Sequence, residues 1–192
     1  MHKGYIEFRK SEKGCGTPID SIGFGGIRSH IIKLDENACF SYRSVAHELL
    51  HVFGFMHEQN RPDRDNYVYV NYDNIPYGKW SAYSKLNFPL YNLYNYLKYD
   101  YDAGSIMHYG INDNSKMPIF PTIFPIRADV NPFEFGRGLG IDPYKYLFRA
   151  HTRLLSDLDI KKIIDLMCFP KFARLQRTFP YEFPEEEYEF IG

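Results

Sequence analysis

Three histidines and a glutamate fall together in the stretch His47-Glu48-Leu49-Leu50-His51-Val52-Phe53-Gly54-Phe55-Met56-His57. On an α-helix, positions i and i+4 lie one above the other on one face, so the imidazoles of His47 and His51 can reach one metal ion together. Glu48 stands about 100° further round the helix. From there it can contact a water on the metal without being a ligand itself. Gly54 admits a backbone angle that other residues resist, and a bend there brings His57 back as third ligand. Three neutral imidazoles and a water make an open tetrahedral zinc site, the catalytic kind and not the closed structural kind. Zinc lowers the pKa of its water to about 7 and polarises a carbonyl. Glu48 can then take the water's proton and pass it to a leaving amine. A bare H-E-x-x-H also arises on buried helices whose histidines are satisfied core residues. Gly54 and His57, at their offsets, turn the balance towards a metal.

A second stretch with chemical content is Ser105-Ile106-Met107-His108-Tyr109-Gly110. A methionine under ligating imidazoles gives a soft apolar floor, although Met107 alone would read as core. His108 reads as a structural or orienting residue, because the metal already has its three histidines. H-E-x-x-H-x-x-G-x-x-H followed by a Met-turn is the metzincin signature.

The elements that must position these residues can be read in outline. Residues 41–53 read as a helix that stops at Gly54, with apolar residues round most of its circumference and so buried. Residues 5–8, 27–34 and 67–70 read as short strands, and 14–26 as a glycine-rich loop. Residues 77–101 read ambiguously, and 112–146, rich in Pro and Gly, mostly as loop. A second helix is expected over 155–168, with Ser156 as cap and Asp159 at the capping-box position. Ile160, Ile163, Ile164 and Met167 mark its apolar face. The domain is expected to cover 1–169, and 170–192 to be an acidic tail, disordered towards its end.

Length and composition bound the function classes. With 192 residues, 44% of them apolar, the chain suits one domain with a real core. Lys and Arg number 23 against 24 Asp and Glu, for a net charge of −1, and no basic excess points to nucleic acid. No apolar run approaches the roughly 18 residues that span a bilayer. The first ten residues lack the apolar core of a signal peptide. Three cysteines, Cys15, Cys39 and Cys168, are either all reduced or one pair and one left over.

The chain resembles the astacin family of zinc metalloendopeptidases, a branch of the metzincins. His57-Glu58-Gln59-Asn60-Arg61-Pro62-Asp63-Arg64-Asp65 matches the family's H-E-Q-x-R-x-D-R-D. Tyr101-Asp102-Ala103-Gly104 with residues 105–109 matches Y-D-x-x-S-I-M-H-Y, and residues 155–168 match its closing helix. The resemblance implies an α+β fold, a two-lobed catalytic domain with a small mixed sheet and a buried zinc helix, one zinc ion, and a peptide or protein substrate. It implies that Tyr109 is an extra ligand at rest which turns to stabilise the oxyanion. Residues 27–34 would include the edge strand that pairs with substrate. Glu58, Arg61, Asp63 and Asp65 would form a buried polar network that supports the site with Gly54 and Met107. Cys15 would pair with Cys39, leaving Cys168 without its partner.

The family's first strand and helix are expected to be missing from this chain, and its secretory signal with them, so the chain reads as the amino-terminally incomplete domain of a secreted enzyme. The reading is therefore a zinc endopeptidase working through Glu48. Its rival is a zinc-binding but catalytically inactive fragment acting as an interaction protein. The substrate and the oligomeric state are not legible in the sequence.

Overall fold

The computed structural model describes residues 4–23, 29–87, 97–136 and 154–168. The expected acidic tail, Gly25 and Gly26, and the side chain of Cys168 lie outside the described residues. The chain divides into two compact units, residues 1–56 with 160–192, and residues 57–159.

In the first unit, β1 (Tyr5–Lys10) and β2 (Ser29–Leu34) run parallel, with Tyr5 opposite Ser29 and Lys10 opposite Leu34. Along β2 the side chains alternate, with His30, Ile32 and Leu34 buried, as the two-residue period of a strand requires. The other edge of β2 is also taken. Gly16 and Lys33 exchange both backbone hydrogen bonds, N to O at 3.0 and 2.9 Å. The segment around Gly16 therefore covers the outer edge of β2 at Lys33. The expectation that residues 27–34 hold the edge strand open to substrate fails at that position, and residues 27 and 28 lie outside the described residues. Pairing is a property of distant segments, and alternation within 27–34 carries no information on which edges are filled.

The helix α1 (Tyr42–Val52) starts at Ser41, whose hydroxyl accepts from the Ser44 amide at 3.1 Å, the usual way to satisfy an orphan amide of a first turn. Burial falls on its second half, at His47, Glu48, Leu50, His51 and Val52, while Tyr42 is 92% exposed. The helix is thus not buried all round, because its apolar partners meet only the last two turns. Ile32, Leu34, Val52 and Cys15 form the core there, with Ile6, Val45 and Leu49 packed against it. Each such fully buried aliphatic side chain contributes about 1.5–3 kcal/mol. Cys15 and Cys39 form a disulfide with Cα atoms 5.9 Å apart.

In the second unit, β3 (Val68–Val70) pairs antiparallel with β4 (Ile123–Pro125). Val68, Val70, Ile75, Tyr83, Tyr109, Ile123 and Phe135 make its core. Residues expected to be mostly loop thus supply a strand. Asn74 organises the approach to it: its amide donates to the carbonyls of Met117 and Phe120 at 3.1 and 2.7 Å and its Oδ1 accepts from Met117 N at 3.0 Å.

The closing helix α2 (Asp157–Cys168) begins on a reciprocal cap, Asp159 N to Ser156 Oγ at 2.8 Å and Ser156 N to Asp159 Oδ2 at 3.1 Å. Of its expected apolar face, Ile160 and Ile164 are exposed and Ile163 is half-buried, while the side chain of Met167 lies outside the described residues. Asp159 and Lys162 are buried. Among the described residues no helix is long and apolar enough to cross a membrane.

Candidate metal centre

His47 and His51 stand one turn apart on α1, their rings edge to face at 4.8 Å between centroids. Gly54 follows with φ of 96°, a left-handed angle that costs a side chain energy and a glycine little. Its amide bonds the His51 carbonyl at 2.8 Å and the Phe55 amide the Leu50 carbonyl at 2.9 Å, and the chain then runs on to His57. One ring nitrogen from each of His47, His51 and His57 lies within 4.8 Å of the others, and all three residues are buried.

The donor set fits zinc. Bonds of about 2.0–2.1 Å in a tetrahedron put ligand atoms about 3.4 Å apart, a small side-chain rotation from this spacing. His51 Nδ1 lies 2.7 Å from the Phe55 carbonyl. A carbonyl can only accept, so Nδ1 carries the proton and Nε2 offers its lone pair to a metal, the arrangement that orients metal-bound imidazoles. Burial, with the neighbouring His47, pushes the His51 pKa down to about 3, so the ring is neutral, as a ligand must be.

Glu48, 4% exposed, accepts from the Thr17 hydroxyl. Burial pushes its carboxyl up to about 7, and the Thr17 hydrogen bond pulls the other way. A carboxyl in that range is suited to exchange a proton near neutrality.

Tyr109 packs its ring on His57 at 5.3 Å and on Tyr83 at 5.3 Å. Burial raises its pKa, so the phenol stays protonated and can donate. Its backbone is tied at both ends: N to Gln59 Oε1 at 3.1 Å, and O to His108 Nδ1 at 2.6 Å. The Tyr101 hydroxyl meets His108 Nε2 at 2.7 Å, so both ring nitrogens of His108 are engaged in hydrogen bonds. Burial lowers its pKa to about 4, which keeps it neutral in that tautomer. Gly136, with φ of 54°, lies against this turn: a Cβ there would meet Gly110 N at 2.6 Å and the His108 carbonyl at 2.8 Å.

Met107 is buried, and its carbonyl accepts from Glu58 N at 2.9 Å. Glu58 Oε1 takes Arg61 Nη1 at 2.8 Å and the Asp102 amide at 2.9 Å. Arg61 adds a bidentate pair with Asp63, both contacts at 2.9 Å. Burial opposes the Arg61 charge, but the hydrogen bonds and charges of Asp63 and Glu58 outweigh it and raise its pKa. Asp65 is not part of this buried set. Its side chain is 56% exposed and pairs with Arg64 and Lys85, so the expected network ends at Asp63.

Thr17, which meets Glu48, carries no signal in the sequence, and Gln59, which holds the Tyr109 amide, shows there only as a letter of the H-E-Q-x-R-x-D-R-D match. A third, Asp159, holds Ser105 and Ile106 at 2.7 and 3.0 Å, and the sequence shows it only as a helix cap.

The profile of the Astacin peptidase family matches residues 1–138. The chain belongs to the astacin family. The astacin-family relatives it resembles include zinc metalloproteinase nas-13 of Caenorhabditis elegans, 38% identical over 137 residues, or 70% of this chain and 28% of that protein. Tolloid-like protein 1 of Homo sapiens is 38% identical over 127 residues, covering 66% of this chain and 12% of its own length. Among solved structures, high choriolytic enzyme 1, a hatching-enzyme zinc protease of the medaka Oryzias latipes, is similar with a TM-score of 0.62 and 28% identity, over 84% of this chain and 67% of that one. The fold is therefore the α+β fold of an astacin, and the histidine triad is its fit for one zinc ion. The chain spans 17%, 28% and 14% of the length of three curated relatives, Blastula protease 10, nas-13 and nas-38.

Proposed function

We propose that this chain is a zinc-dependent endopeptidase that hydrolyses internal bonds of extended peptides and proteins. The observation that carries the reading is the buried triad of His47, His51 and His57 with Glu48 beside it on the same helix. Zinc, when bound, supplies a Lewis acid for the scissile carbonyl and a water of lowered pKa. Glu48 accepts the proton of the attacking water and returns it to the leaving nitrogen. Tyr109 is a further ligand donor at rest and, with its phenol protonated, donates to the oxygen on which negative charge develops. Gly54 turns the chain so that His57 could join His47 and His51 in holding the zinc ion, and Met107 and Glu58 support the turn that carries Tyr109. The Cys15–Cys39 disulfide suits an oxidising compartment, and we read the protein as secreted.

The test is Glu48→Gln in zinc-loaded protein. The amide cannot accept the proton, so turnover of a quenched-fluorescence peptide should fall by about 10²–10⁴-fold with zinc content unchanged. Wild-type turnover in that variant would remove Glu48 from its role. Zinc-loaded wild type that cuts no unfolded protein would favour the rival, a zinc-binding chain without catalysis.

A further inference from the structure

Thr17 stands apart from every residue given a role so far. Its Oγ1 lies 2.8 Å from Glu48 Oε2 and 3.1 Å from the Glu48 backbone carbonyl. A hydroxyl has one proton to donate, and the shorter contact is the one to the carboxylate, where a hydrogen bond is stronger. At 3.1 Å the Glu48 carbonyl can share that one proton as the weaker arm of a bifurcated bond, which keeps the hydroxyl beside the backbone of α1. Together they hold one carboxylate oxygen against the helix that bears it and leave Oε1 to meet a proton.

The hydroxyl is itself on a fixed segment. Cys15 is bonded to Cys39, and Gly16 exchanges both backbone hydrogen bonds with Lys33. Pro18 restricts the residue before it to extended backbone, and the β-branched Thr17 has a stiff χ1. A long glutamate side chain on a helix has several rotamers open to it. Here one of them is selected by a group anchored on three sides.

We infer that Thr17 is a positioning residue that fixes the Glu48 carboxylate for proton transfer. The inference rests on the endopeptidase reading for its consequence in turnover, but not for the hold on Glu48 itself. A bland alternative is that Thr17 only ties its loop to α1. The two differ in what removal of the hydroxyl changes. A tie between loop and helix affects stability; a positioning group affects the reacting carboxylate in a protein that remains folded and loaded.

The experiment compares wild type, Thr17→Val, Thr17→Ala and Thr17→Ser, each purified with zinc. The readouts are zinc content, thermal midpoint, kcat and KM on one peptide, and the affinity of a peptide hydroxamate, whose acidic protons need a correctly placed carboxylate. For Thr17→Val we expect one zinc per chain, kcat down about ten- to a hundredfold with KM within about twofold, and hydroxamate binding weaker by about tenfold. Thr17→Ser should recover kcat and hydroxamate affinity to within about threefold. Unchanged kcat and hydroxamate affinity in Thr17→Val overturn the inference, as does a Thr17→Ser variant as impaired as Thr17→Val. Loss of zinc or fold in both Thr17→Val and Thr17→Ala assigns the residue to the scaffold and overturns it too. Should wild type itself show no turnover, the endopeptidase reading fails, and the hydroxamate comparison alone decides whether Thr17 holds Glu48.

Discussion

The Asp159 carboxylate accepts the Ser105 hydroxyl at 2.7 Å across 54 residues of chain. The same carboxylate accepts the Ile106 amide at 3.0 Å and caps α2 by accepting Ser156 N at 3.1 Å. The start of α2 and the turn before Met107 are therefore one hydrogen-bonded assembly, closed by a fully buried acid.

Removing that acid should be costly. Asp159→Ala removes an acceptor from two buried donors and one half-buried donor, and one lost buried hydrogen-bond partner costs about 1–3 kcal/mol. The expected loss is about 3 kcal/mol or more in equilibrium denaturant unfolding. Asp159→Asn, which keeps one accepting oxygen, should lose less. A change under about 1 kcal/mol in Asp159→Ala would show that the contacts form without contributing.

Tyr109→Phe keeps the ring that packs on His57 and Tyr83 and removes only the hydroxyl. If the phenol acts on the developing oxyanion, kcat should fall by about ten- to a hundredfold with KM little changed. A rise in KM with kcat intact would instead make Tyr109 a substrate-binding group.

Much of this is legible in the sequence, and the rest is illegible for a physical reason. The helix α1 can be read because its signals are local: a run of apolar residues long enough for a helix, and a glycine stop after it. The metal triad can be read because its ligands lie within one short stretch, where helix geometry sets the spacing of His47 and His51 and the turn at Gly54 returns the chain towards His57. The antiparallel strand β4 cannot, since three residues ending in Pro125 show no period and are defined only by their partner β3. The burial of Asp159 escapes the pattern because an acid on a helix reads as a solvent-facing cap, whereas its partners Ser105 and Ile106 lie more than 50 residues away. Thr17 meets Glu48 across 31 residues, and no spacing rule reaches that far.

The disulfide offers a cleaner test of stability. A bridge at a sequence separation of 24 restricts the unfolded chain by about 3 kcal/mol in the loop-entropy picture. The Cys15→Ser/Cys39→Ser double variant should lower the unfolding free energy by about that much. Adding reductant should do the same to wild type and nothing further to the variant. Differential alkylation with mass spectrometry checks the pairing and reports on Cys168 as well.

Arg61 is a buried cation of the second unit, bonded to Glu58, Asp63 and the carbonyls of Tyr99 and Asp100. A lysine presents one ammonium in place of a planar fork and cannot reproduce the bidentate pair with Asp63. Arg61→Lys is expected to cost about 2–4 kcal/mol, because the acids remain buried with fewer donors. A shift in the urea midpoint at constant slope reads this out. Unchanged stability would mean that the ammonium finds equivalent partners.

Gly136 has a consequence for anyone who sorts variants of this protein by their distance from the metal ligands. It stands 79 positions after His57 in the chain, in a stretch with no motif, and a filter built on motif proximity would class a change there as benign. Yet the smallest substitution available, a single methyl group, would have to displace the main chain at His108 and Gly110, the two residues that flank Tyr109. In a saturation library, position 136 should behave as though it belonged to the signature itself: intolerant of all nineteen replacements, with no gradation by size or polarity.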